Sequence, residues 1–260
     1  MQRKRNKISG MIRPLTTVCL VALVWWLATS RGLVNPLFLP RIEATMEALV
    51  RLLSSQEVYF ATASTSFRAV VGLILSAIVA VPLGLFFGRR PTLYEYVELP
   101  VDFFRSIPSS ALFFLFILFF GIGDASKIAV VFYGCSLILL VNTIYGAKPT
   151  REKRDRINML RSFGASRWQV FRLAIFRDAL PHIVAGIRVC VSLSLVLVIV
   201  TEMFLSAKSG LGRQIYDFYL AYRVPEMYAT IVILGIVGFA ANQVCLSFER
   251  RTSFWKGNIL

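Results

Sequence analysis

Charge-free apolar runs alternate with short charged segments along this chain, and the runs have membrane-crossing length. They cover residues 14–30, 69–88, 106–123, 128–147 and 227–248. A sixth, over 179–201, is interrupted only by Arg188 near one end, where a long side chain can reach the interface while its stem stays in the apolar layer. About 20 such residues span a hydrocarbon core as a helix, with a range of about 17–25. The pattern therefore predicts an all-α integral membrane protein with six transmembrane helices. Two intervening segments read differently. Turns at Asn35-Pro36 and Leu39-Pro40 precede a short amphipathic helix over 45–53, and residues 206–226 are too polar to span. They predict a short helix dipping at the membrane face.

Composition agrees with the pattern. Of the 260 residues 57% are hydrophobic and the mean hydropathy is +0.67, well above a soluble domain. The formal charge of +15 would suit a nucleic-acid binder, but the cations lie at the ends of the apolar runs, which points to a membrane surface instead. Counted on alternate sides, 21 basic residues fall with the N-terminal tail, residues 89–105, residues 148–188 and the C-terminal tail, against 8 on the other side. The positive-inside rule then places both termini in the cytoplasm. The first run also fits a signal peptide ending at Ala28-Thr29-Ser30, although Trp25 and Trp26 favour an interfacial belt. Cys19, Cys135, Cys190 and Cys245 stand singly in apolar segments. They indicate packing rather than a disulfide framework or a metal site.

The segment from Glu152 to Arg188 is the exception to this apolar plan. Ile157, Leu160 and Phe163 recur on one helical face. Gly164 then sits where a helix stops, since glycine adopts the left-handed conformation at no steric cost. Ser166 and Gln169 have capping-box spacing, so a second helix begins near Arg167 and carries Trp168, Phe171 and Ile175. Pro181 is expected to interrupt it. Eight basic residues against two acids over 151–177 make this corner a cytoplasmic positive collar facing lipid phosphates, a partner's acidic groove, or both. Trp168 is either an interfacial anchor or part of a docking surface.

Catalytic equipment is missing. No G-x-x-x-x-G-K-[ST] occurs among the 16 glycines, and there is one histidine with no G-x-S-x-G or H-E-x-x-H, so nucleotide chemistry belongs elsewhere. Ser109, Ser110, Asn142, Ser192 and Ser194 are candidate pathway-lining groups, against helix packing as the plainer role. Glu202, at the outer end of the fifth run, is a sixth candidate; it is placed to pair with Arg68 at the outer end of the second.

Gly164-Ala165-Ser166-Arg167-Trp168-Gln169-Val170-Phe171, followed by Ala179-Leu180-Pro181 and Ala185-Gly186-Ile187-Arg188, resembles the cytoplasmic loop of ABC-importer permease subunits. Arg105-Ser106-Ile107-Pro108, the run from Phe120 to Ile128, Thr201-Glu202-Met203 and Ser209-Gly210-Leu211-Gly212 extend the likeness to the branch serving nitrate, sulfonate, taurine and bicarbonate import. The resemblance implies a type I importer fold in a bacterial inner membrane, with a tail and first helix over 1–30, a periplasmic segment over 31–65 and a five-helix core over 66–260. It implies a docking loop over 148–183, in which Asn158, Arg161, Gly164, Ala165, Ser166, Arg167, Trp168 and Gln169 meet a cytoplasmic ATPase. ATP and magnesium would be bound by that partner and no cofactor by this chain. A second permease copy or related chain and a periplasmic binding protein complete the expected assembly, with no nucleic acid. Two departures stand out. The family's Glu-Ala-Ala is here Asn158-Met159-Leu160, and a usual Leu-Pro is Phe176-Arg177, whereas Leu180-Pro181 is kept. A self-contained secondary transporter is the rival class; it would favour an internal repeat and charges at mid-membrane.

Overall fold

The computed structural model of the chain describes residues 2–204 and 209–252, and every regular element among them is helical. In order these are α1 (Gln2–Ser30), α2 (Ile42–Leu53), α3 (Gln56–Gly88), α4 (Pro91–Ser106), α5 (Phe113–Phe120) and α6 (Asp124–Ala147). Then come α7 (Arg151–Ser162), α8 (Arg167–Val170), a π-helical segment (Phe171–Phe176), α9 (Arg177–Phe204), α10 (Leu211–Leu220) and α11 (Val224–Thr252). Among the described residues four stretches are long and apolar enough to cross a membrane: Gln56–Gly88, Asp124–Ala147, Arg167–Phe204 and Val224–Ser247. The expected run over 14–30 lies inside α1, and the amphipathic helix expected over 45–53 is α2. Of the polar segment 206–226, residues 206–208 lie outside the described residues, and α10 supplies its helix.

Two expectations are corrected. Residues 106–123 do not form one helix. α4 ends at Ser106 because Ile107 precedes Pro108 and is held extended, at φ −80° and ψ 121°; the chain stays non-helical until the eight-residue α5. Pro181 does not interrupt its helix either. It lies within α9, on which α8 and the π-segment run without a break. The proline forfeits one amide hydrogen bond to the preceding turn, a local loss that the long packed helix tolerates. The wider π turn just upstream, Phe171–Phe176, is a rare geometry that is often found at functional sites.

The chain divides into two compact units, residues 1–59 with 214–233 and residues 60–213 with 234–260. In the first, the Trp25 indole N–H donates to the Pro40 carbonyl at 2.9 Å and its ring meets Tyr228 at 5.8 Å. The Tyr228 hydroxyl donates to the Phe38 carbonyl at 2.8 Å, fixing the Asn35–Pro40 turns. In the second unit, α6 is the central helix. Its Val130, Val131, Cys135 and Leu139 form the core with Cys190, Leu197 and Val198 of α9, Ala69 and Ala80 of α3, and Phe113 of α5. Small residues make this packing possible, as they must where lipid supplies no hydrophobic drive between helices. A Cβ added at Gly72 or Gly84 of α3 would come within 2.6 Å of Val131 or 2.5 Å of Thr143. At the α6–α9 crossing each of Cys135 and Cys190 points its thiol at the other's carbonyl, at 3.6 and 3.5 Å.

Candidate functional site

The 151–176 corner is built by local backbone chemistry. Thr150 caps α7 by accepting the Lys153 amide at 3.4 Å, a cap not singled out from the sequence. At the other end Gly164 takes φ +78°. The Gly164 amide donates to the Arg161 carbonyl at 2.9 Å and the Ala165 amide to the Leu160 carbonyl at 3.0 Å, a complete Schellman ending. The Ser166 amide donates to Gln169 Oε1 at 2.7 Å and the Gln169 amide to Ser166 Oγ at 3.3 Å, the expected capping box. Each free backbone group so satisfied fixes the angle between α7 and α8.

The surface of this corner is unusual for a polar segment. Trp168 is 68% exposed and Phe163, the cap residue of α7, 82% exposed; the latter therefore does not share the partly covered face of Ile157 and Leu160. Trp168 stacks on Phe171 with ring centroids 5.5 Å apart. Asn158, Arg161, Gly164, Ser166, Arg167 and Gln169 are exposed and Ala165 is half-buried. Arg156 is paired with Asp178, whereas Arg161 and Arg167 meet no carboxylate among the described residues. Arg161 and Arg89 border a cavity of about 200 Å³ floored by Ile157, Val170 and Ala174.

A second cluster is its opposite. Arg68 and Glu202, 4% and 1% exposed, pair directly, as their positions in the sequence suggest. Thr65 Oγ1 donates to Glu202 Oε2 at 2.9 Å and the Gly212 amide to the same oxygen at 3.0 Å. Thr65 Oγ1 also accepts the Leu211 amide at 2.9 Å, and Arg68 donates to the Ser209 carbonyl at 2.8 Å and to Asp124 Oδ1 at 2.8 Å. The Ser-Gly-Leu-Gly turn can lie this close only because Gly210 and Gly212 lack side chains. A Cβ at Gly210, φ +155°, would come within 2.4 Å of the Glu202 carboxyl carbon, and one at Gly212 within 2.5 Å of the Ile199 carbonyl. Lys127, 1% exposed, donates to the Gly123 carbonyl at 3.1 Å beside this cluster.

The remaining polar candidates do not converge. Ser194 is buried and donates to Val191 O at 2.8 Å, and Asn142 donates to Ile138 O of its own helix at 2.9 Å. Ser192 is exposed, in a groove with Arg188, Asn242 and Glu249. Ser109 and Ser110 sit in the non-helical break between α4 and α5.

An exposed, capped corner following one spanning helix and leading into another is the feature against which known proteins can be compared. Residues 80–253 match the family model described as binding-protein-dependent transport system inner membrane component. The chain belongs to this family. It is similar to the taurine transport system permease protein TauC of Escherichia coli (strain K12), 26% identical over 94% of this chain and 89% of that one. It is also similar to the putative aliphatic sulfonates transport permease protein SsuC of the same organism, 32% identical over 85% and 81% of the two chains. The fold matches a chain of the inward-facing MetNI methionine ABC transporter with a TM-score of 0.65, covering 76% of this chain and 96% of that one at 21% identity.

The permease is thus a multi-pass inner-membrane subunit of an ABC importer and does not itself catalyse ATP hydrolysis. Its family match takes in both the corner and the buried charge cluster's Glu202 and Gly212, but begins after Thr65 and Arg68. Sequence reasoning missed Thr65, Asp124 and Lys127 as members of that cluster. A signal existed for the first: Thr65 lies three residues before Arg68 and so shares its helical face.

Proposed function

We propose that the permease crosses the membrane six times with both termini in the cytoplasm, and pairs with a second copy or a related chain around a path for a small anionic solute. α1 and the broken α4–α5 segment add two crossings to the four long apolar stretches. Taurine or another sulfonate is the favoured cargo, by analogy with the solutes named for the relatives; nitrate and bicarbonate are the other members of the class. A periplasmic binding protein delivers it. The segment 31–65 lies on the periplasmic side, and the core 66–260 carries the docking loop 148–183.

One observation carries this reading: a corner rigidly capped at both helix ends that leaves Trp168 largely exposed, and Arg161 and Arg167 without a carboxylate among the described residues. Rigid backbone with unsatisfied side chains is what a docking element needs, because little ordering entropy is lost on binding. Asn158, Arg161, Gly164, Ala165, Ser166, Arg167, Trp168 and Gln169 meet the ATPase, which holds ATP and magnesium. Closure of the ATPase pair on ATP moves the two corners together and turns the cavity outward; hydrolysis resets it. The basic collar meanwhile faces lipid phosphates. Among the pathway candidates, Ser109, Ser110, Asn142 and Ser192 remain available, whereas Glu202 is taken up in bonds between helices and Ser194 is buried against its own.

Gly164→Val is the test. A β-branched residue cannot take φ +78° without strain, so ATP-driven uptake should be lost while membrane insertion is unchanged. Normal uptake by an inserted Gly164→Val variant would refute the docking role. For topology, in a background without native cysteines, Ser162→Cys should react with an impermeant thiol reagent from the cytoplasm and Ser54→Cys from outside; the reverse would overturn the orientation.

A further inference from the structure

The break between α4 and α5 lies at mid-depth. The Tyr133 hydroxyl donates to the Phe104 carbonyl, and a Cβ on Gly134 would come within 2.7 Å of Ser109 Oγ. Tyr133 and Gly134 are the tenth and eleventh residues of the 24-residue spanning helix α6, ~15 Å along it at 1.5 Å per residue. The last turn of α4 is therefore not part of a cytoplasmic loop, where the charge count had put Arg105. It ends near the middle of the membrane.

Arg105 sits in that last turn. Its guanidinium is 49% exposed and, among the described residues, is paired only with Asp102 one turn back, at 3.1 Å, itself 51% exposed. Half-exposed charges at this depth are costly against lipid and, even when paired, characteristically face the bundle interior or a water-filled cavity. Just beyond them, residues 107–112 are non-helical, and irregular backbone at depth occurs where it is covered by protein or lines a water-filled cavity. Two independent features, an exposed ion pair and an open backbone, thus mark the same face of the chain.

We propose that Arg105 lines the translocation path at mid-membrane and contacts the negative group of the solute. The assignment rests on the reading of the cargo as a small anion. A guanidinium presents five donors, and the contact with Asp102 leaves others for a sulfonate or carboxylate oxygen. Asp102 keeps the site from being a deep trap, and Glu95 and Glu98, nearer the other end of α4, give the remainder of the helix the opposite sign. An anion so held can leave, which conduction demands as much as binding.

The test uses the permease assembled with its ATPase and binding protein in proteoliposomes, in a background without native cysteines for labelling. The Arg105→Cys variant should react with a water-soluble, impermeant thiosulfonate. Uptake of radiolabelled taurine should fall about 10- to 100-fold in Arg105→Gln, the range for losing one charge-assisted hydrogen bond. Arg105→Lys should restore most of it, and binding-protein-stimulated ATP hydrolysis should persist in all three. No reaction at position 105, or wild-type uptake in Arg105→Gln, overturns the proposal. So does a parallel loss of ATP hydrolysis and folded protein that lysine does not rescue, because that is the signature of a structural cation. If wild type carries no small anion at all yet Arg105→Cys is labelled, the cargo reading and the anion contact fail, and only the course of the path survives.

Discussion

The permease carries two charged regions with opposite fates. Where α3, α6 and α9 meet the 209–212 turn, Glu202 and Arg68 are buried and bonded to each other, to Thr65 and to that turn. At the 151–176 corner, Arg161, Arg167 and Trp168 are exposed, and neither arginine meets a carboxylate among the described residues. The first region has its charges met within the chain and ties its helices to the 209–212 turn. The second is fixed in backbone and open in side chain, which is the condition for engaging something else. Charge alone therefore does not mark function in a membrane protein; what matters is whether the chain supplies the counter-charge itself.

Breaking the closed region should cost the most. Glu202→Ala leaves the buried Arg68 guanidinium with only the Ser209 carbonyl and the half-exposed Asp124, and loss of one partner of a buried pair costs about 3–5 kcal/mol. The expected result is a large fall in thermal midpoint or in monodisperse yield; a variant as stable as wild type would show that the pair is not structural. Gly212→Ala places a methyl 2.5 Å from the Ile199 carbonyl and 2.8 Å from Glu202 Cβ. Overpacking of this kind costs about 1–3 kcal/mol, read as a smaller fall by the same thermal assay. Asn158→Glu sharpens the open region instead. It restores the residue usual in the family at an exposed site, so uptake should stay within about twofold of wild type, as for surface changes in general; severe loss would reveal an ATPase groove adapted to asparagine.

How much of this was legible in the sequence depended on the range of the interaction. The Gly164 turn and the Ser166–Gln169 box are set by neighbours within a few residues, and both form as read. The Arg68–Glu202 pair spans 134 positions in the chain, yet it was foreseeable because each charge ends an apolar run and neither can stay unpaired there. Lys127 escaped notice because it looked like one more outer-loop cation, and its burial depends on packing by α3 and α9. The break at 107–112 was hidden by its own apolarity. A run without charges carries no punctuation, and only Pro108 hinted that the helix stops. Pro181 misled in the opposite direction, since a long helix held by α6 on one face tolerates a missing amide that an isolated one would not.

The docking role of the open corner is the central claim, and co-purification tests it most directly. The permease would be extracted from its native membrane in mild detergent, as wild type and as Trp168→Ala, and every protein retained would be identified and quantified. The account predicts a soluble P-loop ATPase retained in roughly equal amount with wild type and lost with Trp168→Ala, the variant remaining folded and inserted. Undiminished retention of the ATPase by Trp168→Ala, or a wild-type chain that purifies alone and carries solute in vesicles without ATP, would contradict it.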